Sequence, residues 1–212
     1  MKLIINETVS ASKLIRFKKW LDGVEEKQED ENQAIKIGNL IDALITQPDR
    51  INMFSKLFAG HIFSNDEYEL INKMHHSFLN FIHASGIDLL IKHSQKQCKY
   101  SKVMTYQESD LHIQAPMKCI YDIVTNDNTI GIDIKTTQAT TKKAFINGLK
   151  YTDQDQSRYI YNSLSNLKND YIIGISKIKP YNCFLVNTIE EGFMKTGRNK
   201  LLVNLLDFYL YA

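Results

Sequence analysis

The stretch Met117-Lys-Cys-Ile-Tyr-Asp-Ile-Val-Thr-Asn-Asp-Asn-Thr-Ile-Gly-Ile-Asp-Ile-Lys-Thr-Thr137 decides the fold. Two short runs rich in Ile, Val, Tyr and Thr flank Asn126-Asp127-Asn128, a composition that predicts a β-hairpin. With Asp127 and Asn128 as the central turn residues, Asn126 pairs with Thr129, Val124 with Gly131 and, further out, Asp122 with Asp133. Side chains opposed in this way have Cβ atoms about 4.5–5.5 Å apart, so two carboxylates repel unless a cation sits between them. Strand alternation puts Lys135 on the face of Asp133 and puts Ile130, Ile132 and Ile134 on the other face with Tyr121 and Ile123.

Two acidic oxygens suit a hard divalent ion such as Mg²⁺, which keeps several waters and takes further contacts from phosphate. A neighbouring lysine can stabilise developing negative charge, or orient or deprotonate the attacking water. Together these groups are the minimum for metal-assisted phosphodiester hydrolysis. The bland alternative is a surface hairpin with a polar face, because Asp-x-Lys is common by chance.

The pattern Lys118-x-x-x-Asp122, a turn, then Ile132-Asp-Ile-Lys-Thr-Thr137 resembles the core of the PD-(D/E)XK nuclease superfamily. The similarity is to its phage-type exonuclease branch, that of RecE and lambda exonuclease. It implies an α/β (α+β) fold with a restriction-endonuclease-like core, a mixed central sheet with an antiparallel meander flanked by helices, and a helical N-terminal region. Residues 1–212 are expected to form a single nuclease-like domain, mainly helical over 1–95, with the catalytic sheet and its flanking helices in 96–212. The resemblance assigns catalysis to Asp122, Asp133 and Lys135, and Mg²⁺ or Mn²⁺ binding to Asp42, Asp122, Asp133 and the carbonyl of Ile134. It assigns substrate contacts to Thr136, Gln156, Arg158 and Tyr161.

The implied activity is that of a metal-dependent deoxyribonuclease, a phage or prophage exonuclease acting on duplex DNA ends in recombination. A single-strand annealing protein and a homo-oligomer are the implied partners. The alternative is a nuclease fold that has lost its chemistry and serves as a DNA-binding or protein-interaction module.

Other windows agree with the resemblance. In Gln33–Pro48, residues Ile37, Leu40, Ile41, Leu44 and Ile45 have helical spacing, and Asp42 interrupts the apolar segment where a charge needs a partner. Near the start, Ser10 or Ser12 caps a helix whose stripe is Leu14, Phe17, Trp20 and Leu21. Glu25–Asn32 reads as a solvated loop or frayed helix end, with a lid as the sharper reading.

From Arg50 to His93 the periodicity is helical, through Ile51, Phe54, Leu57 and Phe58 and then Tyr68 to Ile82, with Ser64-Asn-Asp-Glu capping a helix that Gly86 closes. His93, Lys96, Lys99 and Lys102 around Tyr100 read as a phosphate-contacting stretch or as a solvated loop before the strands Val103–Gln107 and Leu111–Gln114. A short helix over Gln138–Leu149 docks Phe145, with Lys142 and Lys143 beside it. An acid-capped helix follows over Tyr151–Leu164, with Ile160 and Leu164 facing the core. Strands Tyr171–Lys177 and Asn182–Asn187 complete the sheet, and Glu190–Tyr211 is amphipathic.

Composition narrows the class. The 212 residues suffice for one substantial core, and 43% hydrophobic with 24% charged residues is ordinary for a globular protein. A net charge of +2 provides no global positive field, so any nucleic-acid contact must come from a local patch. Cys98, Cys119 and Cys183 lie far apart, which argues for reduced thiols and against a disulfide framework or the iron–sulfur cluster of some superfamily members. The six histidines show no zinc-binding spacing. With no apolar run of membrane-spanning length and no signal-peptide pattern, the expected location is the cytoplasm, that of a bacterial host if the chain is phage-encoded.

Overall fold

A computed structural model describes residues 2–24, 28–51 and 57–212. The chain begins with strands β1 (Lys2–Ile4) and β2 (Val9–Ser10), then helices α1 (Ala11–Leu21) and α2 (Gln28–Thr46). A small hairpin, β3 (Leu57–Phe58) and β4 (His61–Ile62), precedes α3 (Asn65–Ala84) and α4 (Asp88–His93). Two long strands follow, β5 (Gln95–Glu108) and β6 (Leu111–Val124), then β7 (Ile130–Thr137). Helices α5 (Lys142–Tyr151) and α6 (Gln154–Ser165) lead to β8 (Asn169–Ser176), β9 (Cys183–Asn187) and the last helix, α7 (Phe193–Tyr211).

This is a mixed α/β fold whose seven-stranded sheet is built around β6. One edge of β6 pairs with β5 along its whole length. The other edge is shared: β1 pairs in parallel at 112–114, β2 in parallel at 117–118, and β7 antiparallel at Ile123 and Val124. The expected meander is therefore β5–β6–β7, after which β7 and β8 run parallel and β9 returns antiparallel. The N-terminal region, expected to be helical, also supplies two sheet strands; each is too short for a period-two pattern to stand out.

Helices cover both faces. On one, Leu14, Ile160, Leu164, Leu201, Leu205 and Phe208 from α1, α6 and α7 pack on Ile113, Ala115, Met117 and Tyr121 of β6. On the other, α2 and α3 bring Ile37, Ile41, Ile71, Met74 and Phe78 against Ile123, Ile132, Ile134 and Ile173. The Ser64–Glu67 capping box forms at α3 as its sequence predicts, and Ser10 and Thr141 cap α1 and α5.

Three local expectations change. Leu57 and Phe58 are strand rather than helix, with Phe54 outside the described residues. The acidic run does not stay a loop throughout, because α2 already begins at Gln28, while residues 25–27 lie outside the described residues. Trp20 is 65% exposed, whereas Phe17 on the same stripe meets the ring of Phe208 edge-on at 5.0 Å.

Helices α6 and α7 touch most closely at Gly197, where an added Cβ would stand 2.1 Å from the backbone oxygen of Asp155. Gly197→Ala is expected to force the two helices apart and to lower unfolding stability by about 1–3 kcal/mol, despite alanine's better helix propensity. Urea unfolding followed by circular dichroism measures it.

Candidate active site

The hairpin register is the one that opposes the two acids: Val124 pairs with Gly131 and Ile123 with Ile132, which sets Asp122 against Asp133. The turn differs in detail. Asn128 donates its N–H to the Thr125 carbonyl at 2.8 Å and Thr125 donates its own to Ile130 at 3.0 Å, so Asn126 and Asp127 are the central residues. The expected Asn126–Thr129 rung is therefore absent. Asp127 tightens the turn by accepting hydrogen bonds from Thr125 and Thr129, and Asn128 takes the left-handed conformation at φ 53°.

Pairing between β6 and β7 stops at Ile123–Ile132, and beyond it the strands part. The N–H of Ile134 is thus without a strand partner, and the Asp122 carboxylate accepts it at 2.7 Å. Alternation along β6 slips here as well. Tyr121 packs with α6 while Ile123 packs with α2, so these two residues lie on opposite faces instead of sharing one. Across the sheet, Gln97 takes a left-handed backbone at φ 53° opposite Asp122, with the β5–β6 register unchanged on either side.

The gap admits side chains from both faces. Asp133 is only 2% exposed and forms ion pairs with Lys135 and, at 3.3 Å, with Arg158. From α2, Asp42 turns toward the gap and accepts a hydrogen bond from Gln97 Nε2 at 3.2 Å. A cleft of about 410 Å³ opens beside them, lined by Gly38, Asp42, Asp122, Ile134, Lys135 and Thr136 among others.

The electrostatics follow from this crowding. Burial, and then the neighbouring Asp133 charge, push the Asp122 carboxyl up to about 8. The same two causes raise Asp42. Asp133 moves the other way: burial opposes ionisation, but the charges of Lys135 and Arg158 outweigh it and hold the group below the usual carboxylate range. Lys135 is raised, burial being overcome by Asp133 and Asp122.

Asp42 Oδ1 is buried without a hydrogen-bond partner, and Asp133 Oδ2 is met by the Lys135 ammonium. The unpartnered Asp42 oxygen and the Asp122 carboxyl on one cleft are donors that fit a hard divalent cation, and the backbone of Ile134 lies on the same cleft. Among the described residues no three acidic, imidazole or thiol groups converge on one point, and the Lys135 ammonium stands against Asp133. The set fits an ion held by one or two carboxylates and completed by water and phosphate, which is the Mg²⁺ pattern, rather than an enclosed protein cage.

The substrate residues expected from sequence divide. Thr136 lines the acidic cleft, and Tyr161 lines a neighbouring cavity with Ser10, Ser12, Lys99, Tyr100 and Lys118. Gln156 and Arg158 are instead shut in the interior, 0% and 1% exposed. Gln156 accepts a hydrogen bond from Asn204, and Arg158 spends its guanidinium on Asp133 and Asp170, so neither is presented to a substrate. Lys96, in the basic stretch, donates to the Ile91 carbonyl, whereas Lys99 and Lys102 are exposed on β5. Three residues of the site escaped the sequence reading: Gln97 beside Asp42, Asp170 behind Arg158, and Lys177 on the cleft. Asp170 opens an apolar strand and Lys177 follows one, the signals that would have found them.

No family model matches the chain, and no curated protein matches it. Among solved structures, it is similar to one described as a candidate exonuclease from Eubacterium rectale, with a TM-score of 0.54 and 15% identity over 90% of this chain and 72% of that one. A phage-related exonuclease from Haemophilus somnus aligns over 87% of this chain and 86% of that one at 12% identity, with a TM-score of only 0.31. The first similarity shows a shared fold.

The raised Asp122 group has a consequence for stability. Its folded value of about 8 lies above the ordinary carboxylate value, so between the two the folded chain keeps a proton that the unfolded chain releases. Its contribution is present at low pH and is lost as pH rises toward 8. Asp122→Asn keeps an acceptor for the Ile134 N–H without the charge. In EDTA its Tm should exceed that of the wild type by an amount that grows from about pH 4 upward and reaches on the order of 4–8 °C above pH 8. Thermal melts of both proteins across this range measure the difference.

Proposed function

We propose that the chain is a divalent-metal-dependent nuclease that hydrolyses DNA phosphodiester bonds, with Asp122, Asp133 and Lys135 as its catalytic set and Asp42 as a further metal ligand. The observation that carries this reading is the meeting of Asp122 and Asp133 where β6 and β7 part, with Lys135 beside them on an open cleft. Bound at these carboxylates with the Ile134 carbonyl, Mg²⁺ or Mn²⁺ would supply a Lewis acid for the phosphoryl oxygen and a bound water acidic enough to attack near neutral pH.

The chain's own residues do the rest. Asp133, held ionised by Arg158 and Lys135, gives a fixed negative oxygen, and Asp122 is oriented by the Ile134 N–H. Lys135 stays protonated, so its part is to orient the nucleophilic water and stabilise charge on the phosphate rather than to act as a base. Thr136, next along the cleft, is placed to contact the substrate backbone. The exonuclease resemblance of the sequence extends the proposal to duplex ends and to phage recombination, alongside a strand-annealing partner.

The second reading, a nuclease fold used only for binding, is favoured by one observation: Lys135 occupies Asp133 and no three ligands converge among the described residues.

Incubation with linear duplex DNA separates the readings. The wild type with Mn²⁺ is expected to degrade it, and Asp133→Asn and Lys135→Ala are expected to lose at least about 100-fold in rate, since each removes charge stabilisation used at the transition state. Chelation by EDTA should abolish cleavage. Calorimetry should find Mn²⁺ binding to the wild type and Lys135→Ala but not to Asp133→Asn. DNA binding without cleavage or Mn²⁺ uptake would leave the second reading.

A further inference from the structure

Lys177 directly follows β8 and donates its backbone N–H to the Thr137 carbonyl at 2.7 Å, which fixes it beside the C-terminal end of β7. Its side chain is half-buried and lines the cleft of Asp42, Asp122, Lys135 and Thr136. It also borders a second depression of about 590 Å³ reaching Gln33, Glu67 and Gln138, so it stands on the ridge between the two.

No hydrogen bond or ion pair engages its ammonium among the described residues, and burial is the sole influence on it, pushing it below the ordinary lysine range. Asp42, Asp122 and Asp66 stand on the same two depressions without an ion pair to Lys177, and the other nearby charges are committed elsewhere. Lys135 is paired with Asp133, and Glu67 accepts from Gln33 and caps α3. Lys96, the other half-buried lysine with a lowered value, has its ammonium on the Ile91 carbonyl. A partly desolvated cation without a counter-charge is costly unless an anion completes it.

We propose that Lys177 binds a backbone phosphate of the nucleic-acid strand being cut, the one next to the scissile phosphate. This rests on the nuclease reading and adds to it the residue that draws an anionic strand into a cleft otherwise edged by carboxylates. The backbones of Lys135 and Lys177 stand roughly 11 Å apart by strand rise and spacing. That separation suits two successive phosphates better than one.

The test uses the 212-residue chain, a fluorescein-labelled 20-base-pair duplex as probe (about two helical turns) and anisotropy in Ca²⁺ over about 50–200 mM salt. Lys177→Gln is expected to bind about tenfold more weakly than the wild type. Its plot of log affinity against log salt should be shallower by about 1, the signature of one lost phosphate contact. Lys177→Arg should recover both, and Mn²⁺ affinity measured without nucleic acid should not fall in either variant. If Lys177→Gln keeps the wild-type affinity and salt slope, the assignment of Lys177 is overturned while the nuclease reading stands. If the wild type takes up neither duplex nor Mn²⁺, the nuclease reading falls and the assignment falls with it.

Discussion

A buried guanidinium is the interaction on which the rest of the structure depends. Arg158 is 1% exposed, and it lies between Asp133 and Asp170, which are 2% and 0% exposed. Its Nε donates to Asp170 at 2.9 Å, and its ring-facing sides rest on Tyr121 at 4.7 Å and Tyr161 at 4.4 Å. Tyr121 donates to the other Asp170 oxygen at 2.8 Å, and the Thr188 hydroxyl also donates to Asp170. Gly131 leaves room for the Tyr121 ring, which an added Cβ would meet at 2.4 Å. Without Arg158, two carboxylates in the sheet interior would lose the buried counter-charge they share, and removing one partner of such a pair typically costs about 3–5 kcal/mol. The network ties β6, β7, β8 and α6 together behind the site.

Held from behind by Arg158, Asp133 meets Lys135 with its other oxygen, and the break in the β6–β7 ladder determines what stands beside it. Had pairing continued past Ile123–Ile132, the Ile134 N–H would have gone to β6 and Asp122 would have pointed along a closed sheet. The sheet gives up a few backbone bonds and gains a slot into which Asp42, from a helix on the far face, also reaches. The parallel partner β8 is intact to Ser176, so the slot has one rigid wall and one open side.

Much of this was legible in the sequence. Turn composition and period-two alternation gave the β6–β7 hairpin and the opposition of Asp122 and Asp133, and an acid within the apolar stripe of α2 marked Asp42. What could not be read depends on contacts between distant segments. The left-handed Gln97 opposite Asp122 lies on another strand, and Tyr121 and Ile123 part at this point although alternation puts them together. Arg158 looks like a surface cation in its helix, because its two counter-charges lie on β7 and β8 rather than one turn away. The strands β1 and β2 are legible only once β6 offers them an edge.

The charges around the gap explain why an apparently unfavourable arrangement persists. Four carboxylates, Asp42, Asp122, Asp133 and Asp170, face two committed cations, Arg158 and Lys135. The excess is two negative charges, and burial together with this excess raises both Asp42 and Asp122. The Asp42 Oδ1 atom is buried without a partner, and a divalent cation would carry the missing charge on one centre and satisfy that oxygen at the same time. By linkage, such an ion would compete with any proton held by these acids, so its affinity would rise with pH and its binding would release protons. The repulsion within the acidic pair, which a divalent cation would relieve, is set by Arg158 on one side and by the parted strands on the other.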